Sequence, residues 1–247
     1  MDLHAILFDV NGTLVDIETD EALPPIYRAI SRFLIYQGLD LPPRDIQEQY
    51  FAIMSEQRAG SVEAHPEFDA VAIWRVLLDR RSGPATRALP GDHRAGLPLF
   101  LAQLHRALAR KRLRPYPQVR RVLDCLRDRY ALGIVSDAQT AYALPELQEL
   151  GLREYFRTVI VSGDYGYRKP DSRLFGHALA ALGARPDQAI YVGNDMYCDI
   201  FGAQQAGLKA VFWPTEYGRK EHAGTKPDYR IDHFPQLLNA LAYFESH

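Results

Sequence analysis

Four short polar clusters each follow an apolar run: Asp9-Val10-Asn11-Gly12-Thr13, Ser136-Asp137, Tyr167-Arg168-Lys169-Pro170, and Asn194-Asp195 with Asp199. A single aspartate after a strand is more often a helix cap than a catalyst. Four clusters with complementary chemistry carry more weight. Asp9 and Asp195 are carboxylates that a hard cation such as Mg²⁺ would bridge. Lys169 is a fixed positive charge, and Ser136, with the amides after it, offers donors to an anion. A carboxylate beside a metal and a lysine is suited to attacking phosphorus, because the cations screen its repulsion from a phosphate dianion. An aspartyl-phosphate would then divide one hard displacement into two easier ones.

The elements that must position these groups are legible as runs. Ala5–Phe8, Leu132–Val135, Val159–Val161, Ile190–Val192, Ala210–Trp213 and a weaker Tyr229–Ile231 are continuously apolar, the pattern of strands buried on both faces of a parallel sheet. Helical spacing separates the later ones: Val119, Val122, Leu123 and Leu126, then Leu174, Phe175, Ala178, Leu179 and Leu182. Such alternation predicts an α/β fold, a Rossmann-like three-layer sandwich with a mainly parallel sheet of five or six strands. In an open parallel sheet, sites gather at the carboxyl ends of strands, so the four clusters should converge at one edge.

The rhythm breaks between Ile17 and Arg114, where no strand is evident. Amphipathic runs fill it: Ile26, Ile30, Phe33 and Leu34; Ile46, Tyr50, Phe51 and Met54; Ile73, Trp74 and Leu77; Phe100, Leu101, Leu104 and Leu108. The Gly-, Pro- and Arg-rich stretch from Ser82 to Gly96 reads as a loop. An insert this long exceeds a normal βα connection. It reads as a separate α-helical cap domain over residues 17–114, with a core formed by 1–16 and 115–247. The hinges fall at Val15-Asp16-Ile17 and Arg114-Pro115-Tyr116-Pro117. With 13 Arg and one Lys against 12 acids, the cap is nearly neutral and is not an anion trap.

The 247 residues, 47% hydrophobic and 24% charged, describe a globular chain rather than a disordered or fibrous one. A net charge of -2 gives no reason to expect nucleic acid or an anionic membrane as partner. No apolar run approaches the ~20 residues of a membrane span. Asp9 interrupts the apolar N-terminus, which therefore does not read as a secretion signal. Cys125 and Cys198 lack zinc spacing and read as reduced thiols of a cytoplasmic protein.

Taken together, DVNGTLVD (Asp9 to Asp16), IVSDAQ, GYRKPDSRLF and YVGNDMYCDIFGAQQAG resemble, in order, the four motifs of the haloacid dehalogenase-like (HAD) hydrolase superfamily. A helical cap between the first two motifs fits that resemblance, which covers the whole expected core. It implies a Mg²⁺-dependent hydrolase of a small phosphorylated metabolite. Asp9 would be the nucleophile and a metal ligand, and position 11 would supply its backbone carbonyl to the metal. Thr13 and Ser136 would orient Asp9 and the phosphoryl group. Asp137 belongs with Ser136 and Lys169 in the expected phosphate-binding set, and Lys169 would neutralise charge between nucleophile and phosphate. Asp195 would bind Mg²⁺, and Asp199 would bind metal-held water or hold Lys169. Asn194 could instead occupy the first acidic position, since either spacing to the second acid occurs in the family.

One residue departs from the pattern. Position 11 is Asn where most phosphatases of the family carry the Asp that protonates the leaving oxygen and then activates water. Losing a general acid–base costs about 10²–10⁴-fold, but only where the leaving group needs a proton. The expectation is weak activity on alkyl phosphates and better activity on acyl, anhydride or aryl phosphates. Asp16, Glu18, Asp20 or Glu21 near the hinge could substitute, and deamidation of Asn11 before Gly12 would rebuild the usual motif. Two other readings compete: a metal-free 2-haloacid dehalogenase, and a degenerate member that binds a phospho-ligand or a partner without efficient turnover. Elsewhere, Trp74 and Trp213 read as core and Cys198 as a packed thiol. Tyr165 and Tyr167 are candidates for substrate contact. His65, His93 and His105 read as exposed.

Overall fold

The computed structural model describes residues 1–246. All six apolar runs form strands: β1 (Ala5–Phe8), β4 (Ala131–Ser136), β5 (Thr158–Val161), β6 (Ala189–Gly193), β7 (Lys209–Phe212) and β8 (Tyr229–Arg230). They make one sheet, ordered β5-β4-β1-β6-β7-β8, in which every pair is parallel. Because side chains alternate along a strand, β1 sends Ile6 and Phe8 to one face and Ala5 and Leu7 to the other. On the first face they join Val122 and Leu126 of α6 (Val119–Leu126) and Leu237 and Leu241 of α10 (Leu237–Ser246). On the second they join Leu174, Phe175 and Leu179 of α8 (Ser172–Leu182), with Ala203 of the short α9 (Gly202–Gln205) beyond. Two apolar layers around one sheet give the three-layer α/β sandwich expected.

Between β1 and β4 the chain builds a helical insert from α1 (Pro24–Tyr36), α2 (Pro43–Ala59), α3 (Ala70–Arg81), α4 (Pro84–Arg87) and α5 (Gly91–Ala109). It has its own apolar cluster, centred on Tyr27, Ile30, Ile46, Ile73, Trp74, Leu77 and Leu101. Asp69 caps α3, its Oδ1 accepting from the Ala72 amide at 2.8 Å. From the core, α7 (Thr140–Glu149) contributes Tyr142 to that cluster. Gln139 ties the two parts together: its Oε1 accepts from Ala70 N at 3.0 Å and its Nε2 donates to Phe68 O at 2.6 Å.

Three expectations are corrected. The insert's ends are strands: β2 (Val15–Thr19) pairs antiparallel with β3 (Arg110–Pro115), so the first expected hinge and the start of the second lie within one ribbon. Val15, Ile17 and Leu113 pack one face of it on the core, and charges join the other. Arg112 and Arg114 clamp Asp16 at 2.8 and 2.9 Å, and Arg112 also reaches Glu18 at 2.8 Å. Burial pushes the Asp16 carboxyl up, but these hydrogen bonds outweigh it and hold the group below its ordinary range. Its apolar period is only Val15 and Ile17 on one strand and Leu113 on the other, too short to stand out among the charges. Second, the Ser82–Gly96 stretch contains α4 and the start of α5, with Pro84 opening one helix and Pro90 preceding the other. Third, α5 buries Leu97, Leu101, Ala102, His105 and Ala109, leaving Phe100 and Leu108 exposed.

Candidate active site

The four polar clusters meet at the carboxyl ends of four adjacent strands. Asp9 follows β1, Ser136 ends β4, Lys169 follows β5, and Asn194 follows β6. Asp9 Oδ1 accepts from Lys169 Nζ at 2.8 Å and from Ser136 Oγ at 3.0 Å. Its Oδ2 accepts from Thr13 Oγ1 at 3.2 Å. All four side chains are buried, Asp9 retaining only 5% exposure.

Lys169 sits between two carboxylates. Its Nζ lies 2.7 Å from Asp199 Oδ1 and 3.0 Å from the Tyr191 hydroxyl. Burial works to lower its pKa, but Asp199 and Asp9 together raise it well above the ordinary value, so it is a permanent cation. Asp199 Oδ2 accepts from the amides of Asn194 and Asp195, both at 2.9 Å. Asp199 therefore holds Lys169 and the turn after β6. Gly193 is required beside it, because a Cβ there would meet the Asp199 carboxyl at 2.4 Å.

Both carboxylate oxygens of Asp195 are taken up by backbone amides. Its Oδ1 accepts from the amides of Tyr197 and Cys198, capping the π-helical turn Met196–Phe201, and its Oδ2 accepts from Arg219 N at 2.9 Å. Asn194 takes the inward place. Thr215 Oγ1 donates its single proton to Gly12 O at 2.6 Å, so it must accept from Asn194 Nδ2, 3.3 Å away. That fixes the amide orientation and directs Asn194 Oδ1 at Thr13 Oγ1, 3.2 Å distant. The same hydroxyl thus faces Asp9 Oδ2 and Asn194 Oδ1. Asp137, expected among phosphate ligands, instead anchors the lysine loop: it accepts from Lys169 N at 2.9 Å and from Arg168 at 3.2 Å.

The donor set suits a hard cation in kind. Asp9 Oδ2 and the oriented Asn194 oxygen are both hard oxygens, and the Asn11 carbonyl lies on the same loop as Asp9. In charge the set is lean, with one carboxylate where Asp195 or Asp199 was expected to add a second.

The proposed substitutes for a general acid are engaged. Asp16 and Glu18 are clamped by Arg112, and Lys111 binds Asp20 at 3.0 Å. Glu21 faces Arg106 at 3.2 Å. Deamidation of Asn11 would need the Gly12 amide as nucleophile, and that N–H donates to Val15 O at 2.8 Å. Tyr165 and Tyr167 pack on His177 of α8, one stacked at 4.3 Å between centroids and one hydrogen-bonded at 2.9 Å, rather than at the cavity. Trp74 and Trp213 are core, as expected. Burial pushes the Cys198 thiol up to about 12, in keeping with an inert packed residue.

A cavity of about 470 Å³ opens above this cluster, between core and insert. Asn11, Asp137, Ala138, Gln139 and Arg168 line it on the core side. Tyr50, Phe51, Met54, Phe68, His105 and Arg106 line it on the insert side, with Tyr142 from α7. Sequence reasoning missed His105, which is fully buried rather than exposed. Its ring packs against Tyr27, Tyr50 and Trp74. Only its spacing with Leu97 and Leu101 on α5 could have placed it inward.

Burial drives the His105 pKa down to about 4. The folded chain therefore keeps it neutral while the unfolded chain protonates it near pH 6.5. Stability from this group is fully present above pH 6.5 and lost as pH falls towards 4, at up to about 1.4 kcal/mol per unit. His105→Gln should flatten that part of the acid limb. Denaturant melts of both proteins at pH 7 and pH 4.5 check this, and an unchanged slope in the variant would refute it.

Comparison with known proteins agrees with the geometry. A family model described as haloacid dehalogenase-like hydrolase matches residues 6–213. A phosphoserine phosphatase of Thermus thermophilus is 33% identical over 72% of this chain and 70% of its own. A glyceraldehyde 3-phosphate phosphatase of Methanothermobacter thermautotrophicus is 27% identical over 89% of each chain. A crystal structure of a 2-haloacid dehalogenase from Pseudomonas syringae superposes with a TM-score of 0.65 at 23% identity, covering 98% of this chain and 99% of that one, which is a likeness of fold.

Proposed function

The chain belongs to the haloacid dehalogenase-like hydrolase family, and on that premise we propose that it is a phosphatase acting through an aspartyl-phosphate on Asp9. One observation carries this reading: a buried carboxylate held at once by Lys169, Ser136 and Thr13, two residues before Asn11, which lines the cavity between core and insert. The named relatives, phosphatases of small phosphorylated metabolites, support the same class of substrate. The helical insert α1–α5, carried on the β2–β3 ribbon, would serve as the cap domain that excludes water during transfer.

In the first half-reaction an Asp9 oxygen attacks phosphorus and the bond from phosphorus to the leaving oxygen breaks, that oxygen keeping the electron pair. Lys169 and Ser136 balance the charge on Asp9 and keep its oxygens aimed. In the second, water attacks the phosphoryl group, freeing phosphate and restoring Asp9. Asn11 holds no proton to give the leaving oxygen and cannot take one from water, so both steps rely on leaving-group chemistry and solvent. Asp9, the Asn11 carbonyl and Asn194 would hold Mg²⁺, with Asp199 positioning Lys169. When bound, the metal would neutralise charge on the phosphoryl oxygens.

Acid-quenching the protein during acetyl phosphate turnover and mapping its peptides by mass spectrometry tests this reading. The expected result is a phosphoryl group on the peptide containing Asp9. Phosphate release with that peptide never modified would sink it. A second reading, halide displacement from carbon without metal, is favoured by the engagement of Asp195 with backbone amides and of Asp199 with Lys169 and the turn after β6. Halide release from chloroacetate separates the two.

A further inference from the structure

Resting on the phosphatase reading, we propose that the leaving group is a phenol: the substrate is an aryl phosphate whose ring sits in the cavity beneath the insert. Two independent observations converge on this class. The first is volume and lining. About 470 Å³ lies in the range that encloses a whole drug-sized ligand, far more than a three-carbon alcohol fills. Its insert-side wall is Tyr50, Phe51, Met54 and Phe68, closed by Tyr142. Aromatic rings and a thioether favour an aromatic guest.

The charges in the wall reinforce this. Each arginine lining the cavity already faces a carboxylate. Arg106 meets Glu146 at 2.7 Å and Glu21 at 3.2 Å, Arg168 meets Asp137 at 3.2 Å, and Arg58 lies 3.9 Å from Glu67. A substrate with a carboxylate or a second phosphate would have to break one of these pairs. A neutral ring breaks none.

The second observation is Asn11, which lines the same cavity. A phenolate departs without a proton, so the missing general acid costs nothing there, whereas an alkoxide pays the full ~10²–10⁴-fold. Cavity and chemistry select the same group.

The test uses turnover and binding on the whole chain. Phenyl phosphate should exceed both benzyl phosphate and glyceraldehyde 3-phosphate in kcat/KM, the latter by about 100-fold or more. Phenylphosphonate, which cannot be hydrolysed, should bind at least roughly tenfold more tightly than methylphosphonate by calorimetry. That preference should shrink in Met54→Trp, which fills the cavity, or in Tyr142→Ala if the first variant does not fold. Equal affinities for the two phosphonates, or glyceraldehyde 3-phosphate turned over as fast as phenyl phosphate, would overturn the proposal. Acetyl phosphate separates the two levels. If wild type hydrolyses it through Asp9 while the aryl preference is missing, the aryl class falls and the phosphatase stands. If acetyl phosphate yields no Asp9-dependent turnover, the phosphatase reading falls and this proposal with it.

Discussion

Lys169→Met and Asp9→Asn should both abolish turnover, by ~10⁴-fold or more, yet leave proteins of very different stability. The buried cluster comprises Asp9, Asp199 and Lys169, with both carboxylates within 2.8 Å of the one ammonium. Its net charge is therefore -1. Removing Lys169 leaves two buried carboxylates on either side of an apolar side chain. Breaking a buried pair by deleting one partner costs about 3–5 kcal/mol, because the remaining charge has no compensation. Removing the charge of Asp9 instead leaves Lys169 matched one-to-one with Asp199 and makes the cluster neutral. That variant should be within about 1 kcal/mol of wild type, and it retains oxygen and nitrogen groups for Ser136 and Thr13. Loss of the nucleophile removes the covalent route itself, about 5.5 kcal/mol of barrier at 10⁴-fold. Urea denaturation alongside acetyl phosphate assays checks both halves. If Asp9→Asn were as unstable as Lys169→Met, the charge argument would fail. Substantial turnover in Asp9→Asn would remove Asp9 as nucleophile.

What the sequence could and could not reveal follows from the kind of force at each place. The strands of the sheet are buried on both faces, so Ala5–Phe8 or Ile190–Val192 announce themselves as unbroken apolar runs. One face of the β2–β3 ribbon is joined by Asp16, Glu18, Arg112 and Arg114, charged residues that read as a solvated hinge until their partners are known. On α5 the apolar row Phe100–Leu104–Leu108 lies beside the row through Leu97, Leu101 and His105. Packing against α3 and α1 selects the second row, and Phe100 instead pairs with Phe33 at 4.9 Å. Periodicity cannot choose between two adjacent rows of similar hydropathy. At the end of β6, Asn194 and Asp195 are neighbours in sequence, and the helical turn that follows decides between them. The residue that caps it is committed to its amides, so the carboxylate is spent as a cap and the amide before it faces the site. The convergence of Asp9, Ser136 and Lys169 was readable because strand ends in a parallel sheet share one edge.

Asn11→Asp should raise kcat/KM for glyceraldehyde 3-phosphate and similar alkyl phosphates by about 10²–10⁴-fold, while changing kcat/KM for acetyl phosphate, which reports formation of the aspartyl-phosphate and not its hydrolysis, by only a few-fold. The asymmetry arises from what each leaving group needs. An alkoxide must gain a proton as it departs, while an acetate ion departs unaided. The new carboxyl would occupy the cavity wall where Asn11 now stands, beside the loop that carries Asp9. The negative charge of Asp9 and partial burial would both raise its pKa, favouring the protonated form that a general acid requires. The backbone is already shaped for this residue: Gly12 takes φ +83 and its amide is held by Val15, so the change of amide to acid requires no rearrangement of the turn. The same substitution should erode the preference for phenyl over alkyl esters in kcat while leaving the ring's contribution to binding intact, since Tyr50, Met54 and Tyr142 are untouched. A parallel gain in kcat/KM on acetyl phosphate and alkyl phosphates would show that Asn11 limits something other than protonation of the leaving oxygen. No gain on either would mean that protonation of the leaving oxygen is already supplied from elsewhere in the cavity.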